Sequence, residues 1–227
     1  MLAAIALTPS APVLVPELAG AAAAEVAAYR DAAVTAAAEL PQNWIAIGTG
    51  GAEEIYSCVR GSFAGYGADV RVTLDPAAPD IVAAMPLCAL MAGWLRGQAN
   101  PDGAVSVRVH PADLDAVRAV ERGRLLRELI DAHPDPIGVL VVADGAITLT
   151  PSAPGGHRPE DVPVQHALDD ALASGDVAAL SGLPDAITGR VAYQVLAGLA
   201  GSGPASAREL IHGAPYGVGY FAGLWLP

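Results

Sequence analysis

Lysine is absent from this chain: all 12 basic residues are arginine, set against 24 acidic ones, for a formal charge of −12. A surface with that balance repels phosphate backbones and anionic lipid, so the charge argues against nucleic acid and membrane as partners. The missing lysine, beside so much alanine, reads as compositional bias and carries no mechanism. Cysteine is scarce too. Cys58 and Cys88 stand far apart in no CxxC pattern, which neither demands a disulfide nor builds a metal site, and a reducing cytoplasm is the expected setting. Aromatic residues make up only 5% of a chain that is 53% hydrophobic, so its core is expected to be packed from small aliphatic side chains. No stretch is long enough and free enough of charge to read as a transmembrane helix. The apolar start lacks any positive charge before Arg30 and is interrupted by prolines, unlike a signal peptide.

Familiar catalytic signatures are missing as well. There is no Gly-x-Ser-x-Gly and hence no nucleophile elbow. Gly48 and Gly50 follow an apolar strand, but Glu53 takes the third glycine position of GxGxxG and no Gly-Lys-Ser/Thr follows. Neither a dinucleotide fingerprint nor a P-loop is present. The histidines His110, His133, His157, His166 and His212 show no HxH or HxxxH spacing, so any metal site would have to be assembled by the fold. Ser10, His157 and Asp144 would make a triad only if folding brought them together.

What is present is an α/β pattern. Leu2 to Leu7 reads as a buried strand, and the loop after it is stiffened by Pro9, Pro12 and Pro16. The spacing predicts a helix from Pro16 to Leu40, then a strand from Asn43 to Gly48 running into Thr49-Gly50-Gly51. Gly61 to Gly67 reads as a loop and Ala68 to Leu74 as an alternating edge strand. Met85 to Arg96 follows as a helix, Ala104 to Val109 as a strand, and Asp113 to His133 as an amphipathic helix with Leu114, Val117, Val120, Leu125 and Leu129 on its apolar side. Pro136 to Ala143 is the most continuously apolar strand, as a strand covered on both faces should be, and it empties into Asp144-Gly145. Thr148 to Pro163, with four prolines and two glycines, is expected to be a mobile loop over a cleft with few hydrogen bonds to fix it. Helices at Val164 to Leu180 and Arg190 to Leu199 and a strand at Tyr216 to Trp225 complete the pattern. The fold class is α/β: a single domain over residues 1–227 with a twisted central sheet and helices on both faces. The strands at Leu2–Leu7, Trp44–Ile47 and Ile137–Val142 should be neighbours opening a cleft at their C-terminal ends.

The opening Pro9-Ser-Ala-Pro12, the phrase Gly61-Ser-Phe-Ala-Gly-Tyr-Gly-Ala-Asp-Val-Arg-Val72, Ala143-Asp-Gly145, Ala153-Pro-Gly155, Gln194-Val-Leu-Ala-Gly198 and Ala214-Pro-Tyr-Gly-Val-Gly-Tyr-Phe221 occur in the order found in compact LigB-type proteins. The chain thus resembles the class III extradiol ring-cleavage dioxygenase superfamily, in its compact LigB-like branch. The resemblance implies Fe(II) held by two histidines and a glutamate, with a further histidine as acid or base beside a catechol. It places the first iron ligand at Ser10 or Ala11 and the second after Trp44–Ile47, at Thr49 to Ala52. The acid–base histidine would follow Asp144, where Gly145-Ala146-Ile147 stands instead. Glu209 falls in the glutamate region.

The expected reading is therefore a divergent LigB-type domain with a degenerate iron site, carrying neither metal nor cofactor, its cleft lined by Ser10, Pro12, Thr49, Gly50, Asp144, Gly145 and His157. Such a cleft would take a small molecule or a protein partner without ring cleavage. The alternative is an active dioxygenase or hydrolase with a metal site relocated to His157, His212 and Glu209. A third reading is a structural protein whose exposed apolar face, at Tyr216 to Trp225, packs against a second copy or a catalytic partner.

Overall fold

The computed structural model covers residues 1–227. Nine strands, β1 (Leu2–Thr8), β2 (Asn43–Gly50), β3 (Glu54–Tyr56), β4 (Arg60–Ser62), β5 (Arg71–Thr73), β6 (Ala104–Pro111), β7 (Ile137–Val142), β8 (Ser206–Gly213) and β9 (Tyr220–Leu226), are interleaved with seven α-helices. The helices are α1 (Pro16–Ala19), α2 (Ala27–Ala38), α3 (Leu87–Ala99), α4 (Ala116–Asp131), α5 (Asp161–Ser174), α6 (Val177–Ser181) and α7 (Arg190–Ala200). Seven strands form one mixed sheet in the order β3-β6-β2-β7-β1-β9-β8, and β4 with β5 makes a separate hairpin-like pair. The inner strands β6, β2, β7 and β1 run parallel, while β3 and β9 are antiparallel to their neighbours. As expected from their apolar runs, β2, β7 and β1 are adjacent, and β7 is buried along its whole length.

Alternation along the strands divides the core into two layers. Ala4, Ala6, Trp44, Ala46, Leu140 and Val142 face α2 and α3. Ile5, Leu7, Ile45, Ile47, Val139 and Val141 face α4, α5 and α7. Small aliphatic side chains dominate both layers, in line with the low aromatic content.

Several elements differ from the sequence reading. The helix expected from Pro16 to Leu40 is broken: α1 stops at Gly20, whose φ of 54° leaves the helical region, and a 3₁₀ turn intervenes before α2. The helix expected from Val164 to Leu180 is also split, because Gly175 takes a left-handed φ of 76° and Asp176 caps α6 with its carboxylate. Only Arg71–Thr73 of the expected strand at Ala68 to Leu74 is extended, and it pairs with Arg60–Ser62, which overlaps the start of the stretch read as a loop.

The apolar face of α4 is the clearest correction. Ala119, Gly123, Leu126 and Ile130 are its buried residues, whereas Val117, Leu125 and Leu129 are exposed. The cause lies in how α4 meets α7. A Cβ on Gly123 would strike the Val195 carbonyl, and one on Gly198 would strike the Val120 carbonyl, so the two backbones touch through reciprocal glycines. Small residues therefore form the seam, and the leucines that periodicity marked as core are turned away from it.

The segment Tyr216 to Trp225 is not an exposed face. The strand proper begins at Tyr220, and β9 lies between β1 and β8 with Tyr220 to Trp225 buried. The loop from Thr148 to Pro163 is also tied down more than its prolines suggested. Gly155 and Arg158 N–H groups donate to Ile147 and Thr148 carbonyls, Leu149 N–H donates to Gly217, and the Thr148 hydroxyl donates to the buried Asp161 carboxylate at 2.5 Å. No helix is long and apolar enough to cross a membrane.

Candidate functional site

The C-terminal ends of the parallel strands gather the residues singled out above. Thr8 pairs in register with Val142, and a Cβ on Gly48 would lie 3.5 Å from the Val142 carbonyl. Two residues beyond these positions, the Ser10 N–H donates to the Asp144 carboxylate at 2.8 Å, clamping the loop after β1 to the loop after β7. Burial pushes the Asp144 carboxyl up to about 7, opposed by the Ser10 hydrogen bond. Tyr193 is buried beside it and donates its hydroxyl to the Ala143 carbonyl at 3.0 Å. Tyr220, raised first by its own burial and then by the Asp144 charge, closes the same region.

Thr49 reaches the same end of the sheet near the end of β2. It follows Ile45 and Ile47 on the face toward α4 and α7. Its carbonyl accepts from the Cys88 thiol at 3.3 Å, and its cross-strand partner is His110. Cys88 is buried and raised to about 12 by that burial, which makes it an inert packing thiol; Cys58 is free and exposed.

Next to the Asp144 loop lies a cavity of about 320 Å³ between α5 and the end of β8, walled by Thr150, Gln165, His166, Asp169, His212 and Ala214 among others. Gln165 joins it to the loop: its Oε1 accepts the Ala146 N–H at 2.7 Å and its Nε2 donates to Asp169 at 2.8 Å, both within the protein interior. A Cβ at either Gly145 or Gly219 would overlap the Gln165 amide, so glycine at both positions leaves that amide its place. Burial raises Asp169 to about 6. His212 is raised above its ordinary value, first by its 2.7 Å hydrogen bond with Glu209 and then by the nearby acids. The arrangement sets a carboxyl and an imidazole, both raised above their ordinary values, against one concave wall, where they could serve as general acid or base.

Of the residues expected to line the cleft, Ser10, Asp144 and Gly145 converge. Pro12 and Gly50 belong to the loop after β1 and the end of β2, and a Cβ on Gly50 would meet Val109. His157 is exposed on the long loop and lines neither this cavity nor a second one beside α4. His212 and Glu209 do meet, but without His157. No group of three or more His, Cys, Asp or Glu side chains is disposed to hold a metal ion. The residues that sequence reasoning missed are Gln165 and Asp169. Their signal was the Gln165–Asp169 separation of one helical turn on α5, which places both on the buried side of that helix.

No protein-family model matches the chain, and no curated protein matches it. Among solved structures, the chain is similar to an uncharacterized protein from Escherichia coli K12, with a TM-score of 0.61 and 11% sequence identity over 98% of this chain and 99% of that one. At that identity the likeness shows a shared fold.

Proposed function

We propose that the protein is a divergent LigB-type domain that binds a small molecule at the C-terminal end of its sheet and does not carry out iron-dependent ring cleavage. The observation that carries this reading is the Ser10–Asp144 contact: the carboxylate at the family position holds a backbone N–H at 2.8 Å and serves as a loop clamp. Fe(II) oxygenase chemistry needs imidazole and carboxylate ligands that leave positions open for substrate and dioxygen. Here the matching positions hold Ser10, Ala11, Thr49, Gly50 and Gly51, and this donor set of hydroxyls and backbone does not fit the metal. The adjacent cavity supplies the binding chemistry instead. Asp169, His166, His212 and Thr150 can exchange hydrogen bonds with a ligand bearing hydroxyl or carbonyl groups.

The relocated-metal reading has one observation in its favour, the Glu209–His212 pair, which leaves the second imidazole nitrogen free of hydrogen bonds within the chain. Ferrous reconstitution, elemental analysis and oxygen uptake with a catechol panel separate the two. The expected result is no stoichiometric iron and no uptake, with small polar fragments still perturbing the His212 imidazole signals in NMR titrations. Stoichiometric iron with uptake abolished by His212→Ala would replace this reading with the relocated site, and a fragment library that leaves His212 unmoved would remove the binding half of it.

A further inference from the structure

A second cavity, of about 310 Å³, lies at the opposite edge of the sheet, walled by β3, the C-terminal end of β6 and α4. Its polar groups are Glu53, Glu54, Arg108, His110 and Arg122. Two acids and one arginine among them are already engaged: Arg122 pairs with Glu53 at 2.9 Å, and Glu54 accepts from the Tyr56 hydroxyl. The other two groups are not. His110 is 5% exposed, and both of its ring nitrogens are enclosed with no hydrogen-bond partner. Arg108 Nε is likewise enclosed and unpartnered, and Arg108 takes part in none of the chain's ion pairs. Buried polar groups of native proteins are almost always paired, and each exception asks for an explanation such as a missing ligand.

The apolar part of the wall is equally unusual. Ile55, Leu125 and Leu129 are 61%, 47% and 49% exposed, and all three border this one cavity. The glycine seam between α4 and α7 is what leaves the two leucines there.

We propose that this cavity is a binding site for a small organic monocarboxylate with an apolar body. The Arg108 guanidinium and a His110 ring N–H donate to the carboxylate, and the hydrocarbon lies against Ile55, Leu125 and Leu129. The unpaired Arg108 cation selects an anion, and guanidinium matches a planar carboxylate in two-pronged geometry. Glu53 and Glu54 at the same wall repel a second negative charge, which disfavours phosphate esters and dicarboxylates. The volume lies at the lower end of the range of small-molecule sites, which suits a compact acid. This site is independent of the Asp169–His212 cavity and of the function proposed there.

The test titrates the intact protein with 4-methylpentanoate, its uncharged isostere 4-methylpentanamide, and acetate, observing the His110 imidazole by heteronuclear NMR and the affinity by calorimetry. Saturable binding of 4-methylpentanoate that moves the His110 ring signals is expected, with the amide and acetate each weaker by at least about tenfold. Arg108→Gln should weaken the acid by a similar factor while leaving the amide unchanged, and the wild-type acid-to-amide ratio carries the test if that variant does not fold. Equal affinity for acid and amide, binding that leaves His110 unmoved, or no saturation by any of the three would overturn the proposal. So would light scattering that shows a dimer dissociated by Leu125→Asp with Leu129→Asp, since a second copy would then be what covers this wall.

Discussion

The cavity between α5 and β8 and the cavity between β6 and α4 are alike in size but opposite in how their polar groups are satisfied. In the first, Gln165 is bonded at both ends, Asp169 holds one of those bonds, and His212 is held by Glu209. In the second, His110 and Arg108 Nε have no partner at all. A network closed on itself contributes to stability and fixes its shape before a ligand arrives. An enclosed group left unpaired is destabilising by about 1–3 kcal/mol, a cost that a suitable ligand removes on binding. The first cavity is thus part of what holds the fold together, and the second is a strained spot that the fold tolerates.

Substitutions can break or sharpen this contrast. The largest effect is expected from Gln165→Leu, which strands the Ala146 N–H and removes the donor to Asp169 in the interior; chemical denaturation should show a loss of roughly 2–4 kcal/mol. A loss below ~1 kcal/mol would mean the network does not support the fold. Next comes Asp144→Asn, which keeps an acceptor for Ser10. The native carboxyl titrates at about 7 against an ordinary value near 4, so the native state holds its proton longer than the unfolded state does. Wild-type stability therefore falls as pH rises from about 4 to about 7, and the asparagine variant should gain on it by an amount on the order of 2–4 kcal/mol that levels off above that range. Thermal melts of both proteins across that window check it, and a constant difference would show that Asp144 is not perturbed.

The third test reverses the expected sign. His110→Phe replaces an unpaired ring with an apolar one of similar shape and should leave stability unchanged or raise it by about 0.5–1.5 kcal/mol. A loss as large as that of Gln165→Leu would show that His110 is satisfied in solution and would erase the contrast. The smallest effect belongs to Arg122→Gln, which breaks an exposed pair with Glu53 and should cost less than about 1 kcal/mol. Burial holds His110 below its ordinary value, and because the Arg122 charge adds to that, the same change should raise the His110 titration seen by NMR.

The fold was legible wherever burial on both faces wrote a continuous apolar run, as at Leu2–Leu7 and Ile137–Val142, and wherever a proline or glycine marked a strand end. β8 escaped notice because it is an edge strand, half exposed and carrying Arg208, Glu209 and His212, so it shows no apolar run. The face of α4 was misread for a different reason. Periodicity ranks leucine above glycine as a core residue, but backbone contact at Gly123 and Gly198 decides which side is inside, and that contact depends on α7, whose sequence lies about 70 residues further on. In the candidate site, Asp144 stood out because it ends the most apolar strand. Gln165 did not, since an amide has no chemical signature until its two partners are in place.

The position of β9 bears on how the chain reaches this structure. β1 is hydrogen-bonded on one side to β7 and on the other to β9, so residues 2–8 are enclosed by segments that begin at 137 and 220. During synthesis β1 is made long before β9 and is thus among the last of these strands to acquire both neighbours. Pairings of such long sequence separation slow folding and leave apolar strand edges open while they wait. Until Tyr220–Leu226 emerges to cover it, the free edge of Leu2–Thr8 is open to pairing with other chains.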